Sequence, residues 1–96
     1  MARDKDYNRM IQSARWLRLR RQVITEHPIC QDCQARGELS PSVEVHHVTP
    51  VEYGLNPSEK ERLMFNRANL RALCHRCHVE QHRAMGRSGR AATRRR

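Results

Sequence analysis

The sequence predicts a small α+β domain in which a bound metal supports a small hydrophobic core. Three observations lead to this prediction: an N-terminal segment with apolar residues at helical spacing, two strand-like segments followed by a helix, and two Cys-x-x-Cys pairs. The chain has 96 residues, of which 38% are hydrophobic and only 4% aromatic. Domains with so little apolar material commonly depend on a metal or another cross-link.

The first predicted element is a helix from Tyr7 to about Glu26. Its apolar residues recur every three or four positions, as they do on a helix with one buried face. We interpret Trp16 as an anchor in the core. The predicted core positions of this helix are Tyr7, Met10, Ile11, Ala14, Trp16, Leu17, Leu19, Val23 and Ile24.

Two strands and a zinc-binding turn are predicted after this helix. The turn spans Cys30 to Gly37, the first strand Ser42 to Val48, and the second strand residues 69–73. The first strand contains β-branched residues and ends before Pro50, which has no N–H to donate to a sheet.

Two further helices are predicted in the second half of the chain. Asn56-Pro57-Ser58-Glu59 is typical of a helix start, with Asn as the cap, Pro at the first position and an acidic residue in the first turn. This helix is expected to reach about Phe65. The last helix is expected over residues 75–85, ended by Gly86.

The four cysteines form two pairs, Cys30-x-x-Cys33 and Cys74-x-x-Cys77. Structural zinc is bound by four thiolates that come from two such turns, so we predict one Zn²⁺ at these residues. Disulfide bonds are the weaker alternative, because the N-terminus lacks an apolar signal segment and cytosolic thiols stay reduced. A two-Cys two-His finger is excluded by spacing, because it needs a second histidine three to five residues after the first.

Four histidines are placed so that they can form a second metal site. His78 and His82 are four residues apart, which brings them to one face of the predicted last helix. His46 and His47 are adjacent in the predicted first strand, so their side chains point to opposite faces. One of this pair can therefore join a metal held by the helix, and the other remains for proton chemistry. The alternative is that all four are solvated surface groups.

The composition indicates a nucleic-acid-binding protein. Nineteen Lys and Arg residues against ten Asp and Glu give a formal charge of +9 and a pI near 10.7. No apolar run approaches the roughly twenty residues of a membrane-spanning helix. Residues 1–86 are expected to form the domain, and residues 87–96 a basic disordered tail. The residues predicted to contact nucleic acid are Arg15, Arg18, Arg20, Arg21, Arg87 and Arg90, with solvated surface charge as the alternative for any single one.

Five segments carry a resemblance to a known family: Tyr7-Asn8, Trp16-x-x-Leu19-Arg20, Pro28-Ile29-Cys30-x-x-Cys33-x-x-x-Gly37, Val45-His46-His47-Val48-x-Pro50 and Asn69-Leu70-x-x-Leu73-Cys74-x-x-Cys77-His78. The chain from Tyr7 to His82 resembles HNH endonucleases, and is most similar to small phage-type members with a four-cysteine zinc site. The resemblance implies a ββα-metal (His-Me finger) core. It also implies that the protein hydrolyses DNA phosphodiesters and leaves 5′-phosphate and 3′-hydroxyl ends.

The resemblance assigns roles to the matched residues. It makes His46 a ligand of the catalytic divalent cation, Mg²⁺ or Mn²⁺, and His47 the general base. Asn69 matches the family's asparagine and His78 its last histidine, while His82 matches a further histidine of colicin-type members. We expect Asn69 to form hydrogen bonds across the loop that hold the strand and His47 in place. Residues 52–61 replace the family's usual Gly-rich segment with a longer one.

These observations lead us to expect a cytoplasmic DNA endonuclease of a bacterial or phage-infected cell, acting as a monomer or weak dimer. Two alternatives stay open. One is a noncatalytic zinc-stabilised nucleic-acid-binding module, and the other is an RNA nuclease or RNA-binding zinc protein, because phosphate contacts do not distinguish the two sugars.

Overall fold

The structure is a computed structural model that describes residues 5–84. Its elements, in chain order, are helices α1 (Lys5–Ile11), α2 (Ala14–Glu26) and α3 (Gln31–Ala35), strand β1 (Glu44–His47), helix α4 (Pro57–Phe65), strand β2 (Leu70–Leu73) and helix α5 (His75–Ala84). Short 3₁₀ turns at Val51–Tyr53 and Arg67–Asn69 flank α4. This mixture of helices with one two-stranded sheet confirms the predicted α+β class. The predicted helix stop at Gly86 and the basic tail lie outside the described residues.

The two strands form an antiparallel pair that separates two layers of the molecule. Their register places His46 opposite Arg71 and His47 opposite Leu70. Side chains alternate along a strand, so His47 and Leu70 share one face of the sheet while His46 and Arg71 share the other. Helix α2 packs on the first face and α5 on the second.

The main hydrophobic core lies between the first face of the sheet and helices α1, α2 and α4. Its buried members are Met10, Trp16, Val23, Val45, Val51, Met64, Leu70 and Ala72. A second, smaller core contains the buried side chains Cys30, Cys33, Leu73 and Cys77. No helix in the range 5–84 is both long and apolar enough to cross a membrane.

The single N-terminal helix predicted over residues 7–26 is wrong, because the chain breaks at Ser13. The Ser13 hydroxyl oxygen accepts a hydrogen bond from the Trp16 N–H at 3.1 Å and donates one to the Met10 carbonyl at 2.6 Å. Ser13 is thus the N-cap of α2. Because a new helix begins there, the apolar residues before and after Ser13 do not share one continuous buried face. Ala14 and Leu17, which we predicted in the core, are therefore exposed, and Leu17 has 51% of its surface accessible.

Helix α4 begins and ends where the sequence predicts. The Asn56 side chain accepts a hydrogen bond from the Glu59 N–H at 2.8 Å, and the Glu59 carboxylate accepts one from the Leu55 N–H at 2.7 Å. These reciprocal bonds cap the helix, with Pro57 at its first turn. The strands are shorter than predicted: β1 covers only Glu44–His47, and β2 starts at Leu70 because Asn69 ends a 3₁₀ turn.

Candidate metal centres and active site

The four cysteines converge on one point between α3 and α5. Their sulfur atoms all lie within 4.8 Å of one another, and each cysteine is free of a disulfide bond. Cys33 Sγ lies 3.6 Å from Cys77 Sγ and 3.9 Å from Cys74 Sγ. A tetrahedral zinc with bonds of ordinary length separates its sulfur ligands by about 3.8 Å, so the cluster fits the predicted Zn²⁺.

The surroundings of the sulfurs act in opposite directions at two of the cysteines. Burial raises the pKa of Cys77 to about 12, which a bound cation would have to overcome. Burial raises the pKa of Cys30, but hydrogen bonds, the largest with the backbone of Cys74, lower it more, to about 7. Arg36 Nη2 lies 3.5 Å from Cys33 Sγ and 3.4 Å from Cys77 Sγ. Arg76 Nη2 lies 3.8 Å from Cys33 Sγ. These guanidinium groups offset the negative charge that four thiolates keep around a zinc ion.

Three histidines from two elements form a second cluster. His46 comes from β1, and His78 and His82 come from α5, four residues apart. One ring nitrogen of each histidine lies within 4.8 Å of the other two. The ring centroids are 5.2 Å apart for His46 and His78, 5.6 Å for His46 and His82, and 4.6 Å for His78 and His82.

His46 is the deepest member of this cluster. Only 2% of its surface is accessible, and its Nδ1 is the sole buried side-chain nitrogen or oxygen in residues 5–84 that has no hydrogen-bond partner. Burial, followed by the charges of His78 and His82, lowers the pKa of His46 to about 4. The ring is therefore neutral at pH 7 and offers a lone pair. A buried nitrogen without a partner costs about 1–3 kcal/mol, a cost that a cation bound at this nitrogen would remove. The cluster thus fits a divalent cation.

The sequence analysis missed Glu44 as part of this site. Its Oε1 lies 2.6 Å from His78 Nδ1 and its Oε2 lies 2.9 Å from His75 Nδ1. Glu44 precedes His46 by two residues, so strand alternation places both side chains on the face that meets α5. That alternation was a usable signal, but no sequence pattern pairs a strand residue with a particular histidine of a helix more than thirty positions later.

His47 lies on the opposite face of the sheet, against α2. Its ring stacks on Trp16 with centroids 5.0 Å apart and planes at 26°, and meets the edge of the Tyr7 ring at 6.4 Å. Its Nε2 lies 3.2 Å from the Met64 carbonyl oxygen. Because a carbonyl can only accept, Nε2 carries the proton of the neutral ring and Nδ1 is the basic nitrogen. Met64 belongs to α4, the helix that starts within the segment that departs from the family pattern, and this helix contributes to the position of His47.

Asn69 joins three parts of the chain through its buried side chain. Its Nδ2 donates to the Thr49 carbonyl at 3.0 Å and to the Leu63 carbonyl at 2.9 Å. Its Oδ1 accepts from the Thr49 N–H at 2.8 Å. The side chain thus ties the segment after β1 to α4, at the start of β2. These bonds are compatible with the positioning role expected for Asn69.

Asp32 connects the cysteine cluster to the histidine cluster. This α3 residue accepts a hydrogen bond from Arg71 of β2 at 2.7 Å and one from Gln81 of α5 at 2.8 Å. Arg71 pairs with His46 across the sheet, and Gln81 lies on the same helix as His78 and His82. The position of α5 relative to β1 therefore depends on the turn that holds Cys30 and Cys33.

The four arginines of α2 have different surroundings. Arg15 forms an ion pair with Glu61 at 3.1 Å and lies 4.0 Å from the centre of the Phe65 ring. Arg20 donates to the Val43 carbonyl at 3.0 Å. Arg18 and Arg21 are exposed. Arg87 and Arg90 lie outside the described residues, and contact of all six arginines with nucleic acid stays a prediction.

Two strands followed by a helix, with a histidine cluster where they meet, make up the ββα-metal arrangement that the sequence predicted. The model of the HNH endonuclease family matches residues 30–84, which is more than half of the chain, and the protein belongs to this family.

Among solved structures, the chain is similar to the HNH endonuclease of the deep-sea thermophilic bacteriophage GVE2, crystallised with a manganese ion. The two share 25% sequence identity with a TM-score of 0.68, and the match covers 88% of this chain and 97% of the phage protein. Comparison with curated proteins finds no significant match.

Proposed function

We propose that this protein is a divalent-metal-dependent endonuclease that hydrolyses DNA phosphodiester bonds, with His47 as the general base. The observation that carries the proposal is the convergence of His46, His78 and His82, one ring nitrogen of each lying within 4.8 Å of the other two, together with the buried, unpartnered Nδ1 of His46. Membership of the HNH endonuclease family supports the reaction class. The manganese ion of the similar phage enzyme supports Mg²⁺ or Mn²⁺ as the catalytic cation.

Two contacts of His47 support its assignment as the general base. With its proton held on Nε2 by the Met64 carbonyl, Nδ1 can take the proton of a water that attacks phosphorus. Stacking on Trp16 restricts the ring to one orientation. Asn69 supports this arrangement by fixing the chain that follows His47.

His46, His78 and His82 would hold the cation through neutral imidazole nitrogens. When bound, a divalent cation supplies positive charge for the oxygens of the scissile phosphate. Three protein ligands leave further coordination positions for phosphate and water, as catalytic metal sites require. Cys30, Cys33, Cys74 and Cys77 would hold a separate zinc that has no open position and serves the fold.

The electrostatics favour a polyanionic substrate. The chain carries a formal charge of +9, and Arg18 and Arg21 are exposed on α2. Arg15 is paired with Glu61, and Arg20 donates to the Val43 carbonyl. Each could contact a phosphate only while it keeps this partner or after it releases it. A noncatalytic nucleic-acid-binding module is the second candidate, because the same charge and zinc site would serve it equally well.

Cleavage assays separate these candidates. Protein treated mildly with EDTA to empty the histidine cluster is incubated with supercoiled plasmid and with a structured RNA, with and without Mg²⁺ or Mn²⁺. We expect plasmid cleavage that depends on the added cation and is lost in His78→Ala. The exposed His27 at the end of α2 provides the matched control, His27→Ala, which should cleave like the parent. Cation-independent cleavage, or none under any condition, would contradict the proposal, and cleavage of RNA alone would change the substrate.

A further inference from the structure

Glu44 lies beside the histidine cluster without belonging to its set of ligands. It is the first residue of β1, and its side chain is about one-third exposed, with 34% of its surface accessible. In the register of the sheet it pairs with Leu73, which is completely buried next to the cysteines. Glu44 therefore stands between the cysteine cluster and the histidine cluster.

Both oxygens of the Glu44 carboxylate accept hydrogen bonds from α5. Oε1 accepts from His78 Nδ1 at 2.6 Å, and Oε2 accepts from His75 Nδ1 at 2.9 Å. Because a carboxylate has no proton to donate, each of these Nδ1 atoms must carry one.

The bond from Glu44 selects one of the two neutral forms of His78. With the proton on Nδ1, the lone pair of the ring is on Nε2, which is then the nitrogen available to a cation shared with His46 and His82. The bond also restricts the rotation of the His78 side chain. Less conformational entropy is therefore lost when the side chain binds a metal. Histidine ligands of metals commonly have such a carboxylate partner, and its loss typically lowers metal affinity about 10–100-fold.

We propose that Glu44 is a positioning residue that holds His78 in its metal-binding orientation and tautomer, while His75 holds the second oxygen of the same carboxylate. This inference rests on the proposed function, because it assumes that the histidine cluster binds a divalent cation. It assigns His75, which has no matched role in the family motif, to the support of the site. It also gives the short Cys74-His75-Arg76-Cys77-His78 segment three tasks: zinc binding, support of Glu44 and cation binding.

The affinity of the histidine cluster for Mn²⁺ tests the proposal without relying on activity. Zinc-loaded protein with an empty histidine cluster is titrated with Mn²⁺, and free Mn²⁺ is measured by electron paramagnetic resonance. We expect Glu44→Ala to weaken Mn²⁺ binding about 10–100-fold. Glu44→Gln, which keeps an acceptor oxygen without the charge, should lie between Glu44→Ala and the parent, and His75→Ala should cause a smaller loss. The matched control is Glu80→Ala, an exposed carboxylate of α5.

The nitrogen resonances of the His78 ring provide a second measurement. In the cation-free parent, ¹⁵N spectra should show the proton on Nδ1, and in Glu44→Ala they should show mainly the Nε2-protonated form. Absorption of Co²⁺ substituted into the cysteine cluster shows whether each variant keeps its fold. If Glu44→Ala does not fold, His75→Ala provides the test instead.

Each result decides a different question. A Glu44→Ala protein that binds Mn²⁺ like the parent and keeps the parent tautomer would overturn the role of Glu44 alone. A parent that binds Mn²⁺ no better than His78→Ala would overturn the metal site itself, and with it both proposals. Weaker binding in Glu80→Ala equal to that in Glu44→Ala would show a general charge effect and would also overturn the role of Glu44.

Discussion

His46 and His47 are neighbours in the sequence, yet each belongs to a different side of the molecule. The alternation of side chains in β1 turns His46 to the α5 cluster and His47 to Trp16. This division was predictable from the sequence, because the period of a strand is a local property. The contacts of each ring were not predictable, since Met64 reaches His47 and His78 reaches His46 through tertiary packing of elements far apart in the chain.

Asn69 provides a prediction at the scale of a single residue. Asn69→Ala removes three part-buried hydrogen bonds and leaves backbone groups of Thr49 and Leu63 without these partners. We expect the free energy of unfolding to fall by about 1–3 kcal/mol, the range for buried polar groups that lose a partner. Urea unfolding of the zinc-loaded protein measures it, with Asn8→Ala on α1 as the control. Equal stability of Asn69→Ala and the parent would contradict the tie that we describe.

The helices show where local sequence signals suffice. Asn56, Pro57 and Glu59 predicted the start of α4 correctly because capping is decided within one turn of chain. Ser13 supplies the same kind of signal, but the apolar periodicity around it favoured one continuous helix, and the break exposes Leu17. The packing of α4 against α1 and α2, which places Met64 beside His47, could not be predicted from spacing.

The cysteine cluster provides a prediction at the scale of elements, because its four residues join α3 to α5. Structural zinc sites contribute about 10–16 kcal/mol of binding free energy to folding in peptides. Net stabilities of whole domains are only about 5–15 kcal/mol. We therefore expect Cys74→Ser to be largely unfolded at room temperature, whereas His78→Ala stays folded. Thermal unfolding followed by circular dichroism checks this, and a Cys74→Ser protein as stable as the parent would rule out a four-cysteine zinc site.

The charge of the whole molecule leads to a prediction about its C-terminal arginines. Each arginine that contacts a phosphate of duplex DNA steepens the fall of log affinity with log salt concentration by about 0.9. A truncation that ends at Met85 removes Arg87, Arg90 and the last three arginines of the chain. It should bind DNA more weakly and with a shallower salt slope, while its unfolding temperature is unchanged. Parallel salt plots for the full and truncated chains would show that these arginines do not contact DNA.

The whole molecule combines a cysteine cluster and a histidine cluster that could each hold a metal ion and that share α5. The cysteine cluster supports the position of that helix, and the opposite side of the sheet supports His47. The family was predictable from the motifs that the chain shares with it, and the clustered residues were predictable from ligand spacing and helix periodicity. The links between the clusters, through Asp32 and Glu44, depend on the folded structure.

The rate of DNA cleavage by His47→Ala tests the central claim most directly. A general base contributes about 10²–10⁴-fold to rate. His47 packs against Trp16 on the core side of the sheet, so its removal should change the rate far more than the affinity for DNA. Single-turnover cleavage of plasmid with saturating Mn²⁺ is compared with DNA affinity measured without the cation, and His27→Ala is the control. We predict that His47→Ala cleaves at least about a hundredfold more slowly than the parent and binds DNA nearly as well. Cleavage by His47→Ala within a few fold of the parent would contradict the assignment of His47 as the general base.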